Sequence, residues 1–150
     1  MVPIVLDVTK VSTALVGEGP SALSRLRFLR AHGAEPRAVF APSAEGELRY
    51  EAGSALVPHW PEAADLTQIH ILFAAGLAPE TAESVAAAAH AAKTLFHAED
   101  VLALCDVHVP ATVRRGDLLL TASTGGRAPG HAVGCGRLLH RPRDLPQVLR

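Results

Sequence analysis

The apolar positions of this chain fall into short continuous runs separated by stripes at helical spacing. "VPIVLDV" (2–8) is a first short apolar run, and "VSTALVG" (11–17) is a second that ends on a glycine. Directly after it, Ala22, Leu23, Leu26 and Leu29 recur with a helical period opposite Arg25, Arg27 and Arg30, and Gly33 in "HGA" supplies the natural C-terminal cap. "EPRAVFAPS" predicts a second strand that stops at Pro42 and Ser43, whereas "GELRYEAG" and "ALVPHWPEAAD" have little period and read as irregular connections. "IHILFAAG" is apolar throughout and predicts a buried strand bounded by Gly76. "PETAESVAAAAHAAKT" predicts a helix opened by Pro79 and carried by alanine, and "LFHAED" predicts a further strand and its loop. "CDVHVPATVRRGDLLLTAST" reads as two strands around the turn "RRGD", with Cys105 and His108 as strand residues. "GGRAPG" is a phosphate-loop-like or helix-entry turn, and glycines and prolines interrupt any long helix in "HAVGCGRLLHRPRDLPQVLR". No internal repeat is present.

Strand, glycine turn, helix, strand, then strand, helix, strand is the order of an α/β protein with a parallel sheet. The expected fold is therefore α/β, a Rossmann-like parallel sheet with a short β appendage. The expected division is a nucleotide-binding domain over 1–111 and a β-hairpin or dimerisation segment over 112–150.

Composition narrows the class. At 150 residues the chain has the length of one domain, and 49% hydrophobic residues suffice for a core. Fourteen basic against fifteen acidic residues give a net charge of −1, which argues against a nucleic-acid or membrane-surface partner. The two cysteines, Cys105 and Cys135, form no C-x-x-C pair, consistent with a reducing, cytoplasmic setting. No segment has the uninterrupted apolar length of a membrane span, and the opening "MVPIVLDVTK" lacks the form of a secretory leader, so a soluble protein is expected.

Three stretches carry candidate chemistry. Gly17-Glu18-Gly19-Pro20-Ser21-Ala22 spells G-x-G-x-x-A between an apolar strand and an amphipathic helix, the context a dinucleotide cradle requires. Gly17 permits the tight bend, Gly19 lets backbone N–H groups approach a diphosphate, and Ala22 lets the helix pack closely. The same residues would also serve as a plain turn into a helix. The acid expected at the end of the second strand to hold a ribose is missing, which leaves adenosine contacts to the backbone at Ala41 and Pro42 or to the Ser43 hydroxyl. In "HAEDVLALC", Asp100 follows a strand that ends at the carboxyl edge of the sheet, where a carboxylate can work as a general base or simply cap a turn. His97 and Glu99 beside it lack the spacing of a metal-ligand set. In "TASTGGRAPG", two hydroxyls before Gly-Gly suit an anionic group or an ordinary β-turn.

Taken together, "LVGEGPSALSRLRFLRAHGA", "AED" and "LCDVHVPATVRRGDLLLTASTGGRAPG" resemble the NAD-binding domain of the precorrin-2 dehydrogenase/sirohydrochlorin ferrochelatase family, the amino-terminal module of siroheme synthase. The resemblance runs from about Val2 to Gly130, and the segment from Asp100 through Cys105, Pro110, "RRGDL" and "STGGRAPG" is its most specific part. It implies NAD-dependent dehydrogenation of precorrin-2 to sirohydrochlorin in siroheme biosynthesis, with iron insertion as an optional second activity. It places Gly17, Gly19, Pro20 and Ser21 under the cofactor diphosphate, Ala41 and Pro42 beside the adenosine, Asp100 as the catalytic acid–base residue, and Ser123 and Thr124 near a tetrapyrrole cleft. It implies a homodimer; from the residues themselves no metal site is expected.

The sequence departs from that family pattern in three places. "FAAGLAPE" replaces a threonine and acidic residues after the third strand, His97-Ala98-Glu99 stands where Asn-Val-Val is usual, and "HAVGCGRLLHRPRDLPQVLR" stands where a long helix and a helical dimerisation region begin. Two alternatives follow: a shortened, non-catalytic nucleotide- or tetrapyrrole-binding relative, and a chelatase that uses His97, Glu99 and Asp100.

Overall fold

Residues with little room for side-chain alternatives build the centre of the sheet. The computed structural model describes residues 2, 4–99 and 101–122, with Arg114 and Arg115 described by their backbone alone. In chain order the elements are β1 (Thr13–Gly17), α1 (Gly19–Ala31), β2 (Val39–Phe40), α2 (Gly46–Ala52), β3 (Leu56–Val57), β4 (Ile71–Ala75), α3 (Pro79–Ala91), β5 (Leu95–Ala98), β6 (Ala111–Arg115) and β7 (Leu118–Ala122), with short 3₁₀ turns between some of them. β1 and β4 are buried along their whole length, as the continuous apolar runs "TALVG" and "ILFAA" require of central parallel strands.

Strands β1 to β5 form one parallel sheet in the order β3-β2-β1-β4-β5. That order reverses direction between β1 and β4, and this switch point fixes where a ligand crevice opens, outside the carboxyl ends of those strands. Alternate residues of each strand feed two cores. Ala14 and Val16 of β1 join Phe40, Leu72, Phe96 and the Val85 face of α3, while Leu15 joins Val39, Phe73, the Ala22-Leu26-Leu29 stripe of α1 and Leu48 of α2. The result is a helix–sheet–helix sandwich with the sheet's two faces covered.

Both long helices open on proline and close with the same C-terminal device. After α1, Gly33 (φ +84°) donates to Arg30 O at 2.9 Å and Ala34 to Leu29 O at 3.0 Å, the paired bonds of a Schellman cap. After α3, Thr94 N–H reaches Ala89 O at 2.9 Å, and the left-handed position is taken by Lys93 (φ 59°). The Thr94 hydroxyl, buried, lies 3.0 Å from Leu66 O and 2.9 Å from Ile69 O, tying the start of β5 to the connection that leads into β4.

The structure changes several sequence expectations. "GELRYEA" is helix α2 rather than an irregular connection, with Leu48 and Ala52 buried one turn apart, and a two-residue strand β3 follows it. The first apolar run, to which the sequence assigns no element, adds no strand among its described residues, and Val2, Ile4 and Val5 are exposed. Cys105 and His108 are not strand residues; the chain leaves β5 through a 3₁₀ turn at Leu102–Leu104, and residues 105–107 double back along the strand's free edge. There Asp106 N–H donates to Phe96 O at 2.9 Å while the Asp106 carboxylate accepts from Phe96 N–H at 2.9 Å, so the edge is capped rather than left open.

The described residues divide into two compact units, one ending at Val107 and the other beginning at His108. In the second, β6 and β7 pair antiparallel from Ala111↔Ala122 to Arg115↔Leu118, closed by a two-residue turn whose first central residue is Gly116 at φ +56°. Glycine at that position suits a type II′ hairpin turn. Among the described residues no helix is long and apolar enough to cross a membrane.

Candidate functional site: a glycine cradle at the switch point

The carboxyl ends of β1 and β4 meet in register at Gly17↔Ala75. A Cβ built on Gly17 would stand 1.9 Å from Ala75 O, so only glycine lets these two strands pair to their ends. Gly76, immediately after β4, has φ +69°, and a Cβ there would lie 2.6 Å from Glu18 O. The sequence reading used Gly76 only to end a strand; here it lets β4 pack against the turn. Two glycines thus press β4 onto the turn that leads into α1.

Gly19 is different. Its φ of +64° belongs to the left-handed region, yet a Cβ on it would meet nothing within 4 Å. The space above this residue is open. α1 begins here, with Glu18 as its N-cap residue in extended conformation, no side-chain cap, and proline in its first turn. The N–H groups of Gly19 and Ser21 donate to no described residue, and Gly19, Pro20 and Ser21 are exposed. Uncommitted donors at the positive end of a thirteen-residue helix, over an open glycine, fit a diphosphate. NAD(P) therefore suits the residues present: Gly19 and Ser21 can offer N–H groups to it, and Gly17 and Gly76 set the close packing beneath.

The neighbouring edge of the cradle is formed by β2. Parallel pairing of Leu15↔Val39 and Val16↔Phe40 brings Ala41 and Pro42 to the same edge as Gly17. Ala41 is fully buried, and its N–H is held by Val57 O at 3.0 Å. The Glu18 carboxylate crosses from the glycine turn to accept the Ser43 N–H at 2.9 Å. Six of the site residues read from the sequence, Gly17, Gly19, Pro20, Ser21, Ala41 and Pro42, are thereby gathered on one edge. Glu18 was not among them, because nothing in a linear motif reveals a contact 25 residues away.

On the other side of the switch point, Gly76, Leu77, Ala82, Ala98, Glu99 and Val101 line a shallow recess. Arg25 of α1 pairs with Glu99: its Nε lies 2.6 Å and its second guanidinium nitrogen 2.5 Å from Glu99 Oε1, with only 12% of the Arg25 side chain exposed. Glu99 is thus committed to an ion pair beside Asp100. His97, buried, directs Nδ1 to Val107 O at 2.9 Å. Cys105 Sγ accepts from Ala98 N–H at 3.1 Å and burial pushes its thiol pKa up, the profile of an unreactive structural thiol. Among the described residues no three His, Cys, Asp or Glu side chains converge as metal ligands. Asp100, Ser123 and Thr124 lie outside the described residues.

A parallel 3-2-1-4-5 sheet with a glycine cradle and free helix donors at its switch point defines a dinucleotide-binding α/β domain. Residues 4–111 match the family described as "Putative NAD(P)-binding", and the chain belongs to that family. It is 36% identical over 118 residues to siroheme synthase of Pseudomonas putida and 35% identical over 118 residues to that of Pseudomonas entomophila, in each case 77% of this chain and 25% of the relative. A siroheme synthase of Xylella fastidiosa is 43% identical over 61 residues, 41% of this chain. The chain thus spans about a quarter of the length of the curated relatives it matches. A solved structure titled "SirC, precorrin-2 dehydrogenase" superposes with a TM-score of 0.69 over 93% of this chain and 69% of that one, at 21% identity, which establishes the common fold.

Proposed function

We propose that the chain is an NAD-dependent precorrin-2 dehydrogenase of siroheme biosynthesis. The observation that carries the reading is the open glycine cradle at the switch point of a chain that is similar over 118 residues to siroheme synthase. Bound NAD⁺ supplies a hydride acceptor. Residues 1–111 are the cofactor-binding domain, and Gly17, Gly19, Pro20 and Ser21 support the diphosphate while Ala41 and Pro42 flank the adenosine. Asp100, two residues beyond β5, takes the proton that precorrin-2 loses as hydride leaves, so the substrate gives up one hydride and one proton in each oxidation. Glu99, next to it in the chain, is held by Arg25 in an ion pair. Ser123 and Thr124 bind the tetrapyrrole, and residues 112–150 belong to a homodimer interface. The protein acts in the cytoplasm. Iron insertion is not part of the proposal, since Glu99 is already paired and His97 faces a backbone carbonyl.

The test is anaerobic turnover of precorrin-2 with NAD⁺, followed by sirohydrochlorin absorbance, for the wild type and Asp100→Ala. The expected result is turnover in the wild type and a loss of about a hundredfold or more in the variant, with NAD⁺ affinity unchanged. A wild type that binds NAD⁺ without turnover would make the chain a binding module instead.

A further inference from the structure

In this fold the carboxylate that reads the adenosine ribose stands at the end of the second strand, about 20 residues beyond the glycine turn. Here β2 runs into Ala41-Pro42-Ser43, which offers none. The structure delivers a carboxylate to that place from the opposite direction. Glu18 belongs by backbone to the end of β1, yet its side chain leaves the helix N-terminus uncapped and reaches the loop after β2. Oε1 accepts the Ser43 N–H at 2.9 Å, while Oε2 accepts no hydrogen bond from any described residue. The side chain is half-buried, with no cation paired to it among the described residues.

One anchored oxygen fixes the orientation of the carboxylate, and the other keeps its lone pairs available beside Ala41 and Pro42. Such a group suits the two hydroxyls of an unmodified ribose, each of which can donate to it. It repels a 2′-phosphate, and the loop after β2 carries no cation to offset that repulsion. Residues 41–45, Ala-Pro-Ser-Ala-Glu, contain no lysine or arginine and add a second acid. Arg27 of α1 is already engaged by Glu47 and Glu51 of α2, and Arg30 by Glu35 and the Glu51 carbonyl.

We propose that Glu18 is the specificity-determining residue for the cofactor: it holds the adenosine ribose hydroxyls and selects NAD⁺ over NADP⁺. The inference rests on the dinucleotide-binding reading above and assigns a role that the glycine motif alone does not.

The experiment is calorimetric titration of the full chain with NAD⁺ and, separately, with NADP⁺, for the wild type, Glu18→Gln and Glu18→Ala, with urea unfolding as the check on folding. Glutamine keeps an oxygen for the Ser43 N–H, so a purely structural role would leave the ratio of the two affinities where it was. Replacing a charged hydrogen bond and removing the repulsion should shrink the preference for NAD⁺ by about tenfold or more, largely through tighter NADP⁺ binding. Two results overturn this proposal alone: a wild type that binds both cofactors equally, or a Glu18→Gln variant that keeps the wild-type ratio. If the wild type binds neither, this proposal and the dinucleotide reading fall together.

Discussion

Replacing Gly17 with alanine is the sharpest probe of how the cradle is built. The added Cβ would lie 1.9 Å from Ala75 O and 3.0 Å from Ala75 C, both backbone atoms that no rotamer change can move aside. Relief requires β1 and β4 to separate by about 1 Å at the Gly17↔Ala75 pair, which ends the central ladder of the sheet. Overpacking of this kind costs about 1–3 kcal/mol, and a weakened ladder bond adds about 1 kcal/mol, so a loss of about 3 kcal/mol is expected. That is a large share of a typical stability of roughly 5–15 kcal/mol. Gly19→Ala provides the internal control, since its Cβ has open space and only the left-handed backbone is strained, at about 1 kcal/mol. Urea unfolding of both variants, monitored by circular dichroism, reads the difference. A Gly17→Ala protein within about 0.5 kcal/mol of the wild type would refute the reasoning, because it would mean that the strand ends do not meet as described.

Three further outcomes follow from individual contacts. Lys93 is exposed in the left-handed position after α3, so Lys93→Gly should raise stability by about 0.5–1 kcal/mol, and an unchanged or lower urea midpoint would speak against the strain. A double-mutant cycle of Arg25→Ala and Glu99→Ala should give a coupling of about 1–2 kcal/mol for this largely covered pair, and a coupling near zero would show that the bridge is not formed in solution. Burial raises the Cys105 thiol pKa, so in a Cys135→Ser background alkylation should be slow at neutral pH and accelerate only under alkaline conditions. The sign for stability is the same: the unfolded thiol ionises first, so the buried group's contribution is present at neutral pH and fades as pH rises through the folded value. Fast labelling at neutral pH would contradict this.

The parts of the fold legible in the sequence are those whose signals are local. A helical stripe such as Ala22-Leu26-Leu29 and a cap such as Gly33 reveal α1 without reference to anything distant, and the continuous run "ILFAA" reveals a strand buried on both faces. α2 escaped because seven residues with two buried positions are too few to establish a period, and β3 because two residues cannot show alternation. "CDVHV" alternates like a strand, but its residues 105–107 lie beside β5 as a cap held by Asp106, which depends on what the chain packs against. The glycine turn was legible because the Ala75 backbone leaves no room for a Cβ at Gly17 and a positive φ favours glycine at Gly19. Glu18 was not, since its carboxylate reaches the loop after β2 only through the parallel register of β1 and β2.

The account depends first on whether the open turn at Gly19 receives a dinucleotide. Calorimetric titration of NAD⁺ into the wild type and Gly19→Ala measures this directly, because the added methyl group enters only the space left for the ligand and the backbone that presents its donors. The account predicts saturable binding by the wild type and a loss of about tenfold or more in the variant, with both proteins folded. Equal affinity in the two, or no binding by the wild type, would contradict it.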